Sequence, residues 1–271
     1  MIGSAFWRTA RRVFAIAFAC FMLMPLTVIL VVSFTNEGYV RFPPASFGLR
    51  WYKAALENSY FTGGFVFSLE VATFVAIVSG VLGIAAALVL ARYRFRGREA
   101  IVSLLMMPIA LPHIVLAIAL LQVVATISVP SSPYGLVAGH LLITLPYVLR
   151  LTMASLAGID RQIETASASL GASPWQTLRL VILPMIAPGA VAGILFAFLI
   201  SFDEVTISLF TALPDRTTLP AEIFGFASHG SDPIVTAVSG VMILFAAILV
   251  IVVERFFGVL RLIANEDRPI E

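Results

Sequence analysis

Six stretches of the 271-residue sequence are apolar enough and long enough to cross a bilayer: residues 13–34, 61–91, 100–129, 134–155, 180–211 and 233–257. A helix needs about 20 such residues to span the hydrocarbon core, where the backbone must satisfy its own hydrogen bonds. The pattern predicts an all-α membrane protein of six transmembrane helices, a single domain over residues 1–271. With 60% hydrophobic and 12% charged residues, the chain is far from soluble composition. Strands of a membrane barrel alternate apolar and polar residues, and these runs do not. Cys20 is the only cysteine, so no intrachain disulfide forms. Ala17-Phe18-Ala19 looks like a cleavage site, but it lies only a few residues into the first run. That run continues to Phe34, so an uncleaved first span is expected.

With a cytoplasmic amino terminus, the inner segments hold Arg8, Arg11, Arg12, Arg92, Arg94, Arg96, Arg98, Arg150, Arg161, Arg179, Arg255, Arg261 and Arg268. The outer ones hold only Arg41, Arg50, Lys53 and Arg216. This positive-inside bias places both termini in the cytoplasm of a multi-pass membrane protein. The Tyr93–Arg98 cluster reads as a stop-transfer anchor against lipid, and no nucleic-acid partner is expected. Gly135-xxx-Gly139 and Gly189-xxx-Gly193 are close-approach patterns for packed helices. Pro25, Pro108, Pro112, Pro146, Pro184 and Pro188 lie in or at the ends of spans, where each favours a kink. Trp51 and Tyr52 suit the outer membrane interface. The sequence holds no internal repeat.

One polar elbow, residues 160–178, divides the fourth and fifth spans on the cytoplasmic side. Ile163, Ala166 and Leu170 recur at i, i+3 and i+7 and predict one apolar face of a short helix. Gly171 then takes the left-handed position that ends it. Ser173-Pro174-Trp175-Gln176 restarts a helix, with Ser173 as N-cap, Pro174 at the first position and Gln176 completing a capping box. A lipid-surface role competes with a docking role. Docking is preferred, because Arg161 is the only basic residue of the short helix.

Thr165-Ala166-Ser167, Gly171 and Val181-Ile182-Leu183-Pro184 resemble the EAA loop of binding-protein-dependent ABC importer permeases. The Gly-to-Pro spacing matches; Thr165 replaces the pattern's glutamate, with Glu164 one position earlier, and Val181 replaces isoleucine. Phe42-Pro43-Pro44 to Arg50-Trp51-Tyr52, Tyr93–Gly97, Leu170–Ser173 and Ser201-Phe202-Asp203-Glu204 are similar to the second permease of spermidine/putrescine importers. The resemblance implies a type I permease fold in the bacterial inner membrane. It also implies a second permease subunit, two ATP-binding subunits and an extracytoplasmic solute-binding protein. Glu164, Thr165, Ala166, Ser167, Leu170, Gly171 and Pro184 would then dock the ATPase. The chain has no phosphate-binding Gly-x-x-x-x-Gly-Lys-[Ser/Thr] motif, so ATP and Mg are expected on the partner and no cofactor on this chain.

Ionisable residues within spans are costly and are functional candidates by default. Asp203 and Glu204 fall in the fifth expected span, where helical neighbours point about 100° apart, so one faces a cavity while the other caps or pairs. Glu70 lies in the second, with snorkelling to the outer head groups as its competing role. No Lys or Arg lies in a span to neutralise these acids, apart from Arg150 and Arg255 near span ends. Unpaired carboxylates would attract a small cationic, polyamine-like solute. His113 stands where polyamine permeases of the resembled family carry an acid after the proline, which admits an amino-acid-, opine- or phosphonate-like solute. A hydrogen-bonded structural imidazole explains it equally, and His140 reads as structural. A proton-coupled carrier using Asp203, Glu204 and His113 is the rival, but it has no need of a capped docking elbow. An enzyme is disfavoured, as no Gly-x-Ser-x-Gly or His-Glu-x-x-His motif is present, and no metal site is expected.

Overall fold

The computed structural model describes residues 2–126, 133–211, 213, 215–230 and 232–257. The helices are α1 (Ile2–Val32), α2 (Arg50–Glu57), α3 (Ser59–Arg92), α4 (Arg98–Ala110), α5 (His113–Thr126) and α6 (Pro133–Ala157). They continue with α7 (Gln162–Ser169), α8 (Pro174–Thr177), α9 (Leu183–Phe202), α10 (Thr206–Phe210), α11 (Leu219–His229) and α12 (Pro233–Phe257). A π-turn over Leu178–Ile182 joins α8 to α9. Five helical stretches are long and apolar enough to cross a membrane as single rods: Thr9–Val32, Ser59–Arg92, Pro133–Ala157, Pro174–Phe202 and Pro233–Arg255. The pair α4–α5 passes the same test only when its two bent helices are taken together, and as one span it brings the count to six.

Two spans differ from the rods expected from the sequence. The stretch 100–129 is bent by 107° between α4 and α5, and its last residues, 127–129, lie outside the described ones. Pro112 disfavours helical backbone at the residue before it, and Leu111 is extended (φ −91°, ψ 138°). The stretch 180–211 begins earlier, at Pro174, and its long helix ends at Phe202. Two acids follow at a helix carboxyl end, where the macrodipole opposes them; the same acids favour the start of α10. The π-turn has a cause of its own. Leu183 bonds back five residues to the carbonyl of Leu178, one step before Pro184, which has no N–H to offer. Helices α2 and α11 were not expected as elements; both are short and lie between spans.

Contacts group the chain into two units, Met1–Thr62 with Ile223–Ala247, and Gly63–Glu222 with Ile248–Glu271. In the first, the segment after α1 is stitched to itself. Gly48 N–H donates to the Phe34 carbonyl at 2.7 Å, and Asn36 N–H donates to the Ser46 carbonyl at 3.1 Å. Trp51 Nε1 donates to the Glu37 carbonyl at 2.8 Å, and the Tyr52 and Ser33 hydroxyls meet at 2.7 Å. Both aromatics are half-buried in these contacts. Helix α1 is exposed along nearly all of its apolar length.

The second unit is organised around α6 and α9. Gly193 lets the two backbones touch: a methyl there would lie 2.8 Å from the Cα of Val148. The approach the sequence pattern predicted is therefore used. Ala87 and Leu90 of α3 pack with Leu149 and Leu156 of α6 and with Ile182 and Ile186 along the α9 rod. A second cluster joins Ala117 of α5, Ile143 of α6 and Ile207 of α10. These two clusters fix the places where the polar residues gather.

Candidate functional site

The elbow follows the local code of its sequence closely. Helix α7 ends in a Schellman turn, with Gly171 N–H donating to Ala168 O at 2.9 Å and Ala172 N–H donating to Ser167 O at 3.1 Å. Gly171 has φ +87°, which side-chain-bearing residues rarely adopt. Ser173 Oγ then accepts from Gln176 N–H at 3.3 Å, and Gln176 Oε1 accepts from Ser173 N–H at 2.7 Å. This is the reciprocal capping box, with Pro174 at the first helical position. A hydrogen bond from Thr177 Oγ1 to Ser167 Oγ at 3.2 Å ties the two short helices together.

The faces of α7 are not the ones the i, i+3, i+7 spacing predicts. Ile163 packs against the core at the ends of α3 and α6, but Ala166 is exposed and Leu170 is 90% exposed. The inward face is Ile163, Glu164 and Ser167. Leu170 leaves it because the helix ends at Ser169 and the turn swings the next residue outward. Glu164 Oε1 lies 2.6 Å from Arg92 Nη2 of α3 as an ion pair, out of alignment for a hydrogen bond. Arg161 Nη2 donates to the carbonyls of Ala91 and Arg92 at 3.1 and 3.0 Å. Thr165, Ala166, Leu170 and Gly171 face outward with Trp175. Pro184 sits apart from this surface, at the start of α9, where it shapes the rod.

The second site is the junction of the two broken spans. His113 begins α5 immediately after the α4–α5 bend, and its Nδ1 lies 2.8 Å from Glu204 Oε2. The other carboxylate oxygen of Glu204 accepts from Ile207 N–H at 2.9 Å and caps α10. Both oxygens of this buried group are thereby engaged. Asp203 is the C-cap residue of α9, is exposed, and meets no cationic side chain among the described residues. His140, fully buried, bridges Ser201 Oγ at 2.8 Å and Ser208 Oγ at 3.2 Å, tying the end of α9 to α10 through α6.

The sequence-based expectation of three unpaired acids is therefore corrected. Glu204 is paired with His113. Glu70 is not joined to this junction: its Oε2 lies 3.6 Å from Arg216 Nη1, on the stretch between α10 and α11. Asp203 and Glu204 diverge because α9 ends at Phe202, just before them, not because of their helical phase. Arg92, Arg161 and Arg216 escaped sequence reasoning as site residues. Only their sign was visible, and their partners are distant along the chain.

A profile of the binding-protein-dependent transport system inner membrane component family matches residues 79–261. The chain belongs to that family. It is 30% identical over 241 residues to the spermidine/putrescine transport system permease protein PotC of Haemophilus influenzae, covering 89% of this chain and 93% of that one. The putrescine permease PotI of Escherichia coli is 29% identical, covering 81% and 80%. The putative 2-aminoethylphosphonate permease PhnV of Salmonella paratyphi A is 26% identical, covering 94% and 97%. The fold matches that of a bacterial ABC transporter importing alginate, with a TM-score of 0.65 at 17% identity over 94% of this chain and 96% of that one. It also matches the inward-facing MetNI methionine transporter, with a TM-score of 0.63 at 17% identity over 73% and 95%. The permease thus has the all-helical fold of an ABC importer subunit, and the EAA-loop resemblance is that of its own family.

Proposed function

We propose that this permease forms half of the translocation pathway of an ATP-driven importer for a small cationic, polyamine-like solute. The solute arrives from an extracytoplasmic binding protein. A second permease completes the pathway, and two ATP-binding subunits dock beneath it with ATP and Mg. The elbow and both termini face the cytoplasm in this reading, which the arginine distribution supports. The elbow's outward residues, Thr165, Ala166, Leu170 and Gly171 with Trp175, form this chain's ATPase-docking surface, stiffened by the Schellman turn and the capping box.

One observation carries the solute reading. Asp203 is the carboxylate left over when His113 and the α10 amino end have claimed Glu204. It stands at a helix interruption, the kind of place where transporters of other architectures bind their cargo. A carboxylate without a counter-ion within a membrane-spanning bundle favours a cation. Similarity to PotC and PotI, named for spermidine and putrescine, supports the same class.

The test is uptake of labelled spermidine by the complete transporter in vesicles. Asp203→Asn is expected to cut uptake at least about tenfold, the loss of roughly one strong charge contact, with subunit assembly unchanged. Undiminished uptake by the assembled variant would remove Asp203 from the pathway.

A further inference from the structure

We infer that Arg92, Glu164 and Arg161 form a reciprocal clamp that makes the carboxyl end of α3, as well as the α9 rod, carry the elbow's movement. The inference rests on the elbow being the ATPase-docking element.

The argument begins with the end of α3. The last four carbonyls of a helix have no partner inside it. Here each is taken. The Val89 carbonyl accepts from Tyr93 N–H at 3.0 Å, and that of Leu90 accepts from Arg98 Nε at 2.6 Å. The carbonyls of Ala91 and Arg92 accept from the single guanidinium of Arg161. A cation at a helix carboxyl end is also favoured by the macrodipole. The elbow thus caps α3, and α3 answers through Arg92 to Glu164 at 2.6 Å. Arg161 and Glu164 lie on either side of the start of α7, so two polar links hold one turn of the elbow in place.

Packing and the polar links act together. Ile182 clusters with Ala87 and Leu90 of α3, and Ile163 and Leu178 pack against that cluster. Beside this contact opens a groove of about 700 Å³, lined by Leu88, Val89, Trp175, Leu178 and Ile182, with Arg92 and Glu164 in its wall. Along the groove the polar links add to the apolar contact. Glu164 therefore faces its own chain, and the polar contact to the ATPase falls to the outward Thr165 side of α7.

The clamp predicts how the parts move. Spin labels at Tyr93→Cys and Ser169→Cys, in a Cys20→Ser background of the assembled transporter in vesicles, report the α3-to-elbow distance. The expected result is one narrow distribution, the same with and without Mg-ATP. Glu164→Arg should broaden it, and adding Arg92→Glu should narrow it again. In parallel, Glu164→Arg should lower spermidine uptake per ATP hydrolysed about tenfold, a usual size for coupling between sites, with recovery in the double variant. A nucleotide-dependent distance in the parent, or a narrow distribution in Glu164→Arg, would overturn the clamp. Failure of the docking reading looks different: no ATPase co-purifies with the parent chain, and the distance measurement on that chain still judges the clamp.

Discussion

Asp203 and Glu204 are neighbours in sequence with opposite tasks. Glu204 gives one oxygen to His113 and the other to the amide of Ile207, so it holds α5 and α10 together. Asp203 is exposed and keeps its charge free of any cationic side chain among the described residues. The two should therefore separate under mutation. Glu204→Gln retains an oxygen for the cap but loses its charge beside the imidazole, and should cost about 2 kcal/mol of stability. Thermal unfolding of the purified permease measures it, and Asp203→Asn should unfold at the parent temperature. At Gly193 the backbone of α6 leaves no room for a side chain. Gly193→Val should force α6 from α9 at a cost of about 1–3 kcal/mol, seen in the same melt.

The elbow is the element most fully written in its own residues. Its turn needs a left-handed residue and has Gly171; its restart needs an acceptor, a proline and a reciprocal amide, and has Ser173, Pro174 and Gln176. Gly171→Pro cannot adopt φ +87° and deletes the N–H that closes the turn onto Ala168. It should abolish ATPase co-purification while leaving membrane insertion intact. Ser173→Ala should be milder, about 1 kcal/mol, weakening co-purification only in part. These features were legible because every partner lies within five residues. The bend after Ala110 was half legible: Pro112 announces a kink, but whether a proline bends a rod slightly or breaks it depends on what packs around it. The faces of α7 were misread because three matching apolar positions say nothing about where the helix stops. Arg92 with Glu164, Arg161 with the end of α3, and Glu70 with Arg216 were not legible at all. Each joins residues far apart in the chain by a contact that no local pattern encodes.

At the scale of the molecule, the proposed direction across the membrane rests on the arginine count and not on helix packing. With Cys20→Ser as background, Ser169→Cys on the elbow should react with a membrane-impermeant maleimide in inside-out vesicles and stay unlabelled in intact cells. The opposite result would reverse the topology and take the docking surface out of reach of ATP. The unpacked length of α1 leaves its apolar surface open. The rod from Pro174 to Phe202 connects the elbow to the broken junction, and it carries one surplus residue in its hydrogen-bond ladder at Leu178–Ile182. Pro184, which has no N–H to offer, holds that surplus at the elbow end of the rod. Every side chain beyond it is set about 100° away from the phase an unbroken helix would give it. The direction in which the far junction presents its polar groups is therefore chosen by one extra residue next to the elbow.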